Sequence, residues 1–88
     1  MTKYFFGVRH DNYLVKDLEG ADYSTRTEAR AEALEILRDL VAYAILARSE
    51  DFPTSIEFVD ADGLREIVST IEAIPALLNL LATGRNDG

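Results

Sequence analysis

The chain has 88 residues, a net charge of −7, no cysteine and a single histidine. That is the length of one domain, and it excludes disulfides, thiolate metal sites and histidine clusters. Hydrophobic residues at 48% and charged residues at 28% are a globular balance, and the acidic surplus repels nucleic acid, whose recognition rests on clustered Lys and Arg.

A domain this small buries only about 60–65% of the surface its unfolded chain exposes. Disulfides, metals or a partner subunit commonly supplement such domains, and with no cysteine a partner subunit is the most available of these. The first residues, Met1-Thr2-Lys3-Tyr4-Phe5-Phe6, lack the long apolar stretch of a signal peptide. The run from Leu40 to Ala47 is wholly apolar but has eight residues, too few to cross a bilayer. The expectation is a cytoplasmic protein.

Tyr4 to Arg9 reads as a strand, rich in aromatic and β-branched residues. Tyr4, Phe6 and Val8 share one face, and Phe5, Gly7 and Arg9 the other. His10-Asp11-Asn12 is turn chemistry, and Tyr13 to Lys16 returns as a second strand. Asp17-Leu18-Glu19-Gly20 ends it, with Gly20 suited to positive φ. Ala21 to Tyr23 is a short extended piece before a helix. Thr25 and Glu28 form a capping box at that helix's start, each side chain satisfying the other's backbone N–H. Ala29, Ala33, Ile36, Leu37, Leu40 and Ala44 make one stripe, with Glu28, Glu32, Glu35 and Asp39 opposite. From Leu40 to Ala47 no face is left for water, so the C-terminal segment or another chain must cover Val41, Tyr43, Ile45 and Leu46.

Ser49 to Thr54 is a loop, and Pro53 disfavours helix in the residue before it. Ser55 to Asp60 and Leu64 to Val68 form a hairpin around the tight turn Asp60-Ala61-Asp62-Gly63. Ile71, Ile74, Leu78 and Leu81 then recur at helical spacing, with Pro75 suited to a first turn and Gly84 to the helix end. The expected fold is α+β: a mainly antiparallel four-stranded sheet in the order β-β-α-β-β-α, with both helices on one face. Residues 1–70 form the core domain, residues 71–84 a helix packing on it, and residues 85–88 a frayed tail. An open, partly apolar second sheet face would be a candidate interface.

Catalytic signals are sparse. His10 beside Asp11 lacks a third group to orient it, and no serine or threonine sits in a nucleophile elbow. Asp60-x-Asp62-Gly63 has the acids of a cation loop but not its spacing, and reads as a hairpin turn. The glycines stand alone rather than in a phosphate loop. Tyr4, Phe5 and Phe6 could stack bases, but no basic strand accompanies them, so they read as core. No catalytic, metal or cofactor-binding residue is assigned.

Tyr4-Phe5-Phe6-x-Val8-Arg9, Asp17-x-Glu19-Gly20 and Ala29-Arg30-Ala31-Glu32-Ala33 resemble, in order and spacing, a small bacterial domain family of unknown function. The resemblance spans about residues 3–70 and implies the fold and a bacterial cytoplasm, with no activity. Gly7 departs from it, since the family often carries His there. Residues 13–37 are similar to the antitoxin subunit of the HicAB type, in which a hairpin leads to a Thr-capped helix, although Glu19 replaces that family's Pro.

The functional expectation is a non-enzymatic interaction module, a homodimer joined through apolar helix surface. Val41, Tyr43, Ile45 and Leu46 are the expected contacts, with Leu77, Leu80 and Leu81 as rivals or collaborators. The alternative is an acidic, antitoxin-like or regulatory partner of a small basic protein. A third reading, a small enzyme or metal protein, would use His10, Asp11, Asp60 and Asp62.

Overall fold

A computed structural model describes residues 1–17 and 19–85, with the backbone alone at residues 76, 80, 81 and 83–85. The elements are β1 (Thr2–Arg9), β2 (Leu14–Lys16), β3 (Ala21–Tyr23), α1 (Arg26–Leu46), β4 (Ser55–Asp60), β5 (Arg65–Ser69) and α2 (Thr70–Arg85). The fold is α+β with an antiparallel sheet, as expected, but the sheet has five strands rather than four and the order is β-β-β-α-β-β-α.

The fifth strand comes from the Asp-x-x-Gly step. β1 pairs with β4 along one edge, and β5 lies beyond β4; along its other edge β1 pairs with both β2 and β3. Gly7 opposes Lys16 and Tyr4 opposes Ala21. Three steps along β1 therefore match five on its partner, so two extra residues bulge from one interrupted strand. The Asp17 carboxylate accepts the backbone N–H groups of Glu19 at 3.0 Å and Gly20 at 3.2 Å, replacing the lost ladder bonds. Gly20 has φ 73°, and a Cβ there would lie 2.9–3.0 Å from Lys3 Cγ, Phe5 Cε1 and the Tyr4 carbonyl oxygen. Only glycine suits both constraints. The turn signal is real, but it interrupts a strand instead of ending a hairpin.

Tyr4 and Phe6 of β1, Ile56 and Phe58 of β4 and Val68 of β5 are buried on one sheet face, against Ala29, Ala33 and Leu37 of α1. The two alanines let the helix backbone approach the aromatic floor. Phe58, Leu37, Ile56 and Val68 are the largest fully buried side chains, each contributing about 1.5–3 kcal/mol by leaving water. The opposite face, carrying Phe5, Gly7, Val59 and Ile67, has no helix over it among the described residues; Ile67 is exposed.

α1 begins at Thr25, whose hydroxyl accepts the Glu28 N–H at 3.1 Å. The other half of the capping box differs from expectation: the Glu28 carboxylate accepts the Thr25 hydroxyl at 3.4 Å. Arg26 then reaches Asp60 at 3.2 Å and the Leu64 carbonyl at 2.8 Å, with its guanidinium over the rings of Tyr4 and Phe58. These contacts tie the helix start to the β4–β5 turn, a pairing that no local pattern announces.

α2 follows β5 without a break. Thr70 donates its hydroxyl to the Pro53 carbonyl at 2.7 Å and its N–H to the Thr54 carbonyl at 3.0 Å. Arg30 pairs with both Glu66 and Glu72, and Ala73 enters the common core. Because the helix starts at Thr70, Pro75 sits in its second turn rather than its first, and the helix continues past Gly84 to Arg85. Of the expected frayed tail, residues 86–88 lie outside the described residues.

Candidate interaction surface

α2 covers only part of the apolar second half of α1. A narrow cleft lined by Arg38 and Val41 of α1 and by Ala73, Ile74 and Leu77 of α2 marks the contact. Val41 and Ala44 are buried and Leu77 is half-buried, so Val41 is enclosed within the single chain. Tyr43 is 73% exposed, Leu46 84% and Ile45 52%. Of the expected contact residues these three face solvent, whereas the side chains of Leu80 and Leu81 lie outside the described residues.

α2 presents a second uncovered surface. Ile71, Ile74 and Leu78, spaced i, i+3 and i+7 along one side of the helix, are 76%, 45% and 59% exposed. The helical periodicity visible in the sequence is therefore the outer side of α2, with Ile74 at its margin, where it also lines the cleft against Arg38 and Val41, and Ala73 and Leu77 form the inner one. The sequence held this signal in the small residue at position 73, which lets a helix lie close. Without knowing where Thr70 is anchored, the larger stripe wins the reading.

A third feature joins α1 to the sheet edge. A groove of about 460 Å³ lies between Ile36 and Glu32 of α1 and the interrupted strand, with Phe6 and Val8 as floor and Val15 and Tyr23 on the far wall. Val15 is half exposed. The Tyr23 hydroxyl is pushed above its usual pKa, first by burial and then by the neighbouring Glu32 carboxylate. On the open sheet face, a smaller depression of about 150 Å³ sits over Gly7, between Phe5, Lys16, Glu57 and Arg65. Leu14 and Glu57 would crowd any Cβ at Gly7, at 3.3 and 3.4 Å.

The candidate chemical residues are otherwise engaged. His10 pairs through Nδ1 with Asp51, at 2.9 Å, and not with Asp11. Its ring stacks on Tyr13, centroids 4.5 Å apart, and Tyr13 also donates to Asp51. The Tyr13 hydrogen bond, followed by His10, holds the Asp51 carboxyl below its usual range. This cluster clamps the loop before β4 to the end of β1. Asp60 accepts the N–H groups of Leu64 at 2.9 Å and Asp62 at 3.0 Å and pairs with Arg26. The Leu64 backbone bond, then Arg26 and the Asp62 backbone bond, depress its carboxyl pKa against the opposing effect of burial. Asp60 is thus the turn's own hydrogen-bond acceptor. Among the described residues no three or more His, Asp or Glu side chains gather as a metal site, and no helix is long and apolar enough to span a membrane.

A small α+β domain with apolar helix surface outside its core is what the geometry defines. The chain belongs to the family described as domain of unknown function DUF6894, which matches residues 3–77. No curated protein and no solved structure matches it.

Proposed function

We propose that this protein is a self-associating interaction module whose contact is the outer surface of the helix layer. The observation that carries the reading is the bareness of Tyr43 and Leu46 in the single chain. Together with Ile45, Ile71, Ile74 and Leu78 they make six large apolar side chains exposed on the two helices. Large apolar surface of this extent on a small domain marks contact sites more often than chance scatter. Removing it from water is the driving force, at about 25 cal/mol per Å².

Light scattering of the wild-type chain from low to high micromolar concentration tests this, with a homodimer expected. Tyr43→Glu is expected to shift the population to monomer while far-UV circular dichroism stays unchanged, because its side chain already faces solvent in one chain. A wild-type protein that stays monomeric throughout, with Tyr43 and Leu46 in water, sinks the reading.

A further inference from the structure

The groove beside α1 and the outer stripe of α2 are two exposed features of opposite shape on one chain. We infer that the stripe of one copy occupies the groove of a second copy, and reciprocally, about a two-fold axis. This rests on the self-association reading and specifies its geometry.

The stripe cannot fill its own chain's groove. α2 lies against Arg38 and Val41, whereas the groove is bounded by Glu32 and Ile36. At about 100° per residue, Ile36 and Val41 point roughly 140° apart on α1, so the body of α1 stands between them. Only another copy can bring the two features together.

Their shapes and chemistry match. A cavity of about 150 Å³ takes a benzene ring, so a groove of about 460 Å³ has room for three branched aliphatic side chains. Ile71, Ile74 and Leu78 are three such groups on one helix side, the form in which an amphipathic helix enters a groove. From Ile74 to Gly84 the chain carries no charge, so this part of the stripe brings no ion of its own to the groove, whose lining includes Lys16, Asp17 and Glu32. The groove also continues along α1, because Ile36, Leu40 and Tyr43 recur at i, i+4 and i+7 and share its side. Leu40 is exposed at the margin and Tyr43 strongly so. The exposed tyrosine thus becomes the far end of the same seat.

Each copy offers one ridge and one seat, so a reciprocal exchange closes on itself. A one-way contact would instead propagate into a filament.

The absence of cysteine makes the test direct. Val15→Cys and Ile74→Cys chains are mixed and oxidised, or joined by a short bis-maleimide. The expected product is the mixed covalent dimer, with little Val15–Val15 or Ile74–Ile74 product, and the double variant should form a doubly linked dimer. Ile71→Asp and Leu78→Asp should each raise the dimer dissociation constant about a hundredfold, the effect of a charge forced against apolar surface, with the monomer's circular dichroism intact. Either variant suffices if the other misfolds. A dimer that links only Ile74 to Ile74 overturns the seat and leaves self-association standing. A wild-type chain that never dimerises overturns both.

Discussion

α1 and α2 both carry branched aliphatic residues at helical spacing, yet α1 turns its stripe inward and α2 turns its stripe outward. Leu37 and Val41 are buried beside Ala29, Ala33 and Ala44, whereas Ile71 and Leu78 face solvent, Ile74 lies at the margin and Ala73 faces the core. The difference lies in what anchors each helix. α1 is rolled onto the sheet by its cap at Thr25 and by Arg26 lying over Tyr4 and Phe58. α2 starts directly from β5, and its first turn is fixed by Thr70 on Pro53 and Thr54 and by Glu72 on Ser69 and Arg30. Anchoring at the helix start decides the roll, and the apolar residues follow it. Periodicity therefore locates an amphipathic helix without saying which side the rest of its own chain will cover.

Substitutions on the two stripes separate an inner role from an outer one. We predict the largest effect for Leu37→Ala, which opens a cavity at a fully buried position and should cost about 2–5 kcal/mol of unfolding free energy in urea titration. Ala33→Leu should cost about 1–3 kcal/mol, because it pushes α1 off the aromatic floor that Ala33 allows it to approach. Ile71→Ser, on the outer stripe, should change the stability of the isolated monomer by no more than about 0.5 kcal/mol while weakening self-association. A multi-kcal/mol loss in monomeric Ile71→Ser would mean that the outer stripe has a partner within its own chain. A small loss in Leu37→Ala would break the contrast from the other side.

Much of the fold was legible because the relevant signals are local. The alternation in Tyr4 to Val8, the Thr25 cap, the alanine stripe of α1 and the positive φ of Gly20 and Gly63 each follow from residue chemistry within a few positions. What stayed illegible depends on contacts distant in sequence. Ala21 to Tyr23 becomes a strand because β1 offers an unused stretch of edge, Thr2 to Tyr4, beyond the bulge. His10 finds Asp51, 41 positions away, in preference to its neighbour Asp11. Of the proposed contact surface, Tyr43, Ile45 and Leu46 were readable as surplus apolar residues in α1. The outer side of α2 and the groove were not, because the roll of α2 and the placing of α1 beside β2 and β3 are set by the assembled sheet.

The weakest anchor of α2 gives the finest test of the roll argument. Glu72 accepts the Ser69 N–H at 2.9 Å and pairs with Arg30. The backbone bond from Ser69, then Arg30, outweigh burial and hold its carboxyl below the ordinary value of 4.5. A carboxyl whose folded pKa is depressed stabilises the native state when ionised. Its contribution is complete above the ordinary glutamate range and disappears as the pH falls through the lower folded value. Glu72→Gln keeps an acceptor for Ser69 but removes the charge, so the expected effect is the smallest of the set: a slightly lower melting temperature at pH 7. The gap between wild type and variant should begin to close as the pH falls below about 4.5 and vanish once it has passed the lower folded value, where the native carboxyl is neutral too. A gap that stays constant into acid would show that the ionised form of Glu72 does not hold α2, and that Thr70 alone sets which stripe faces out.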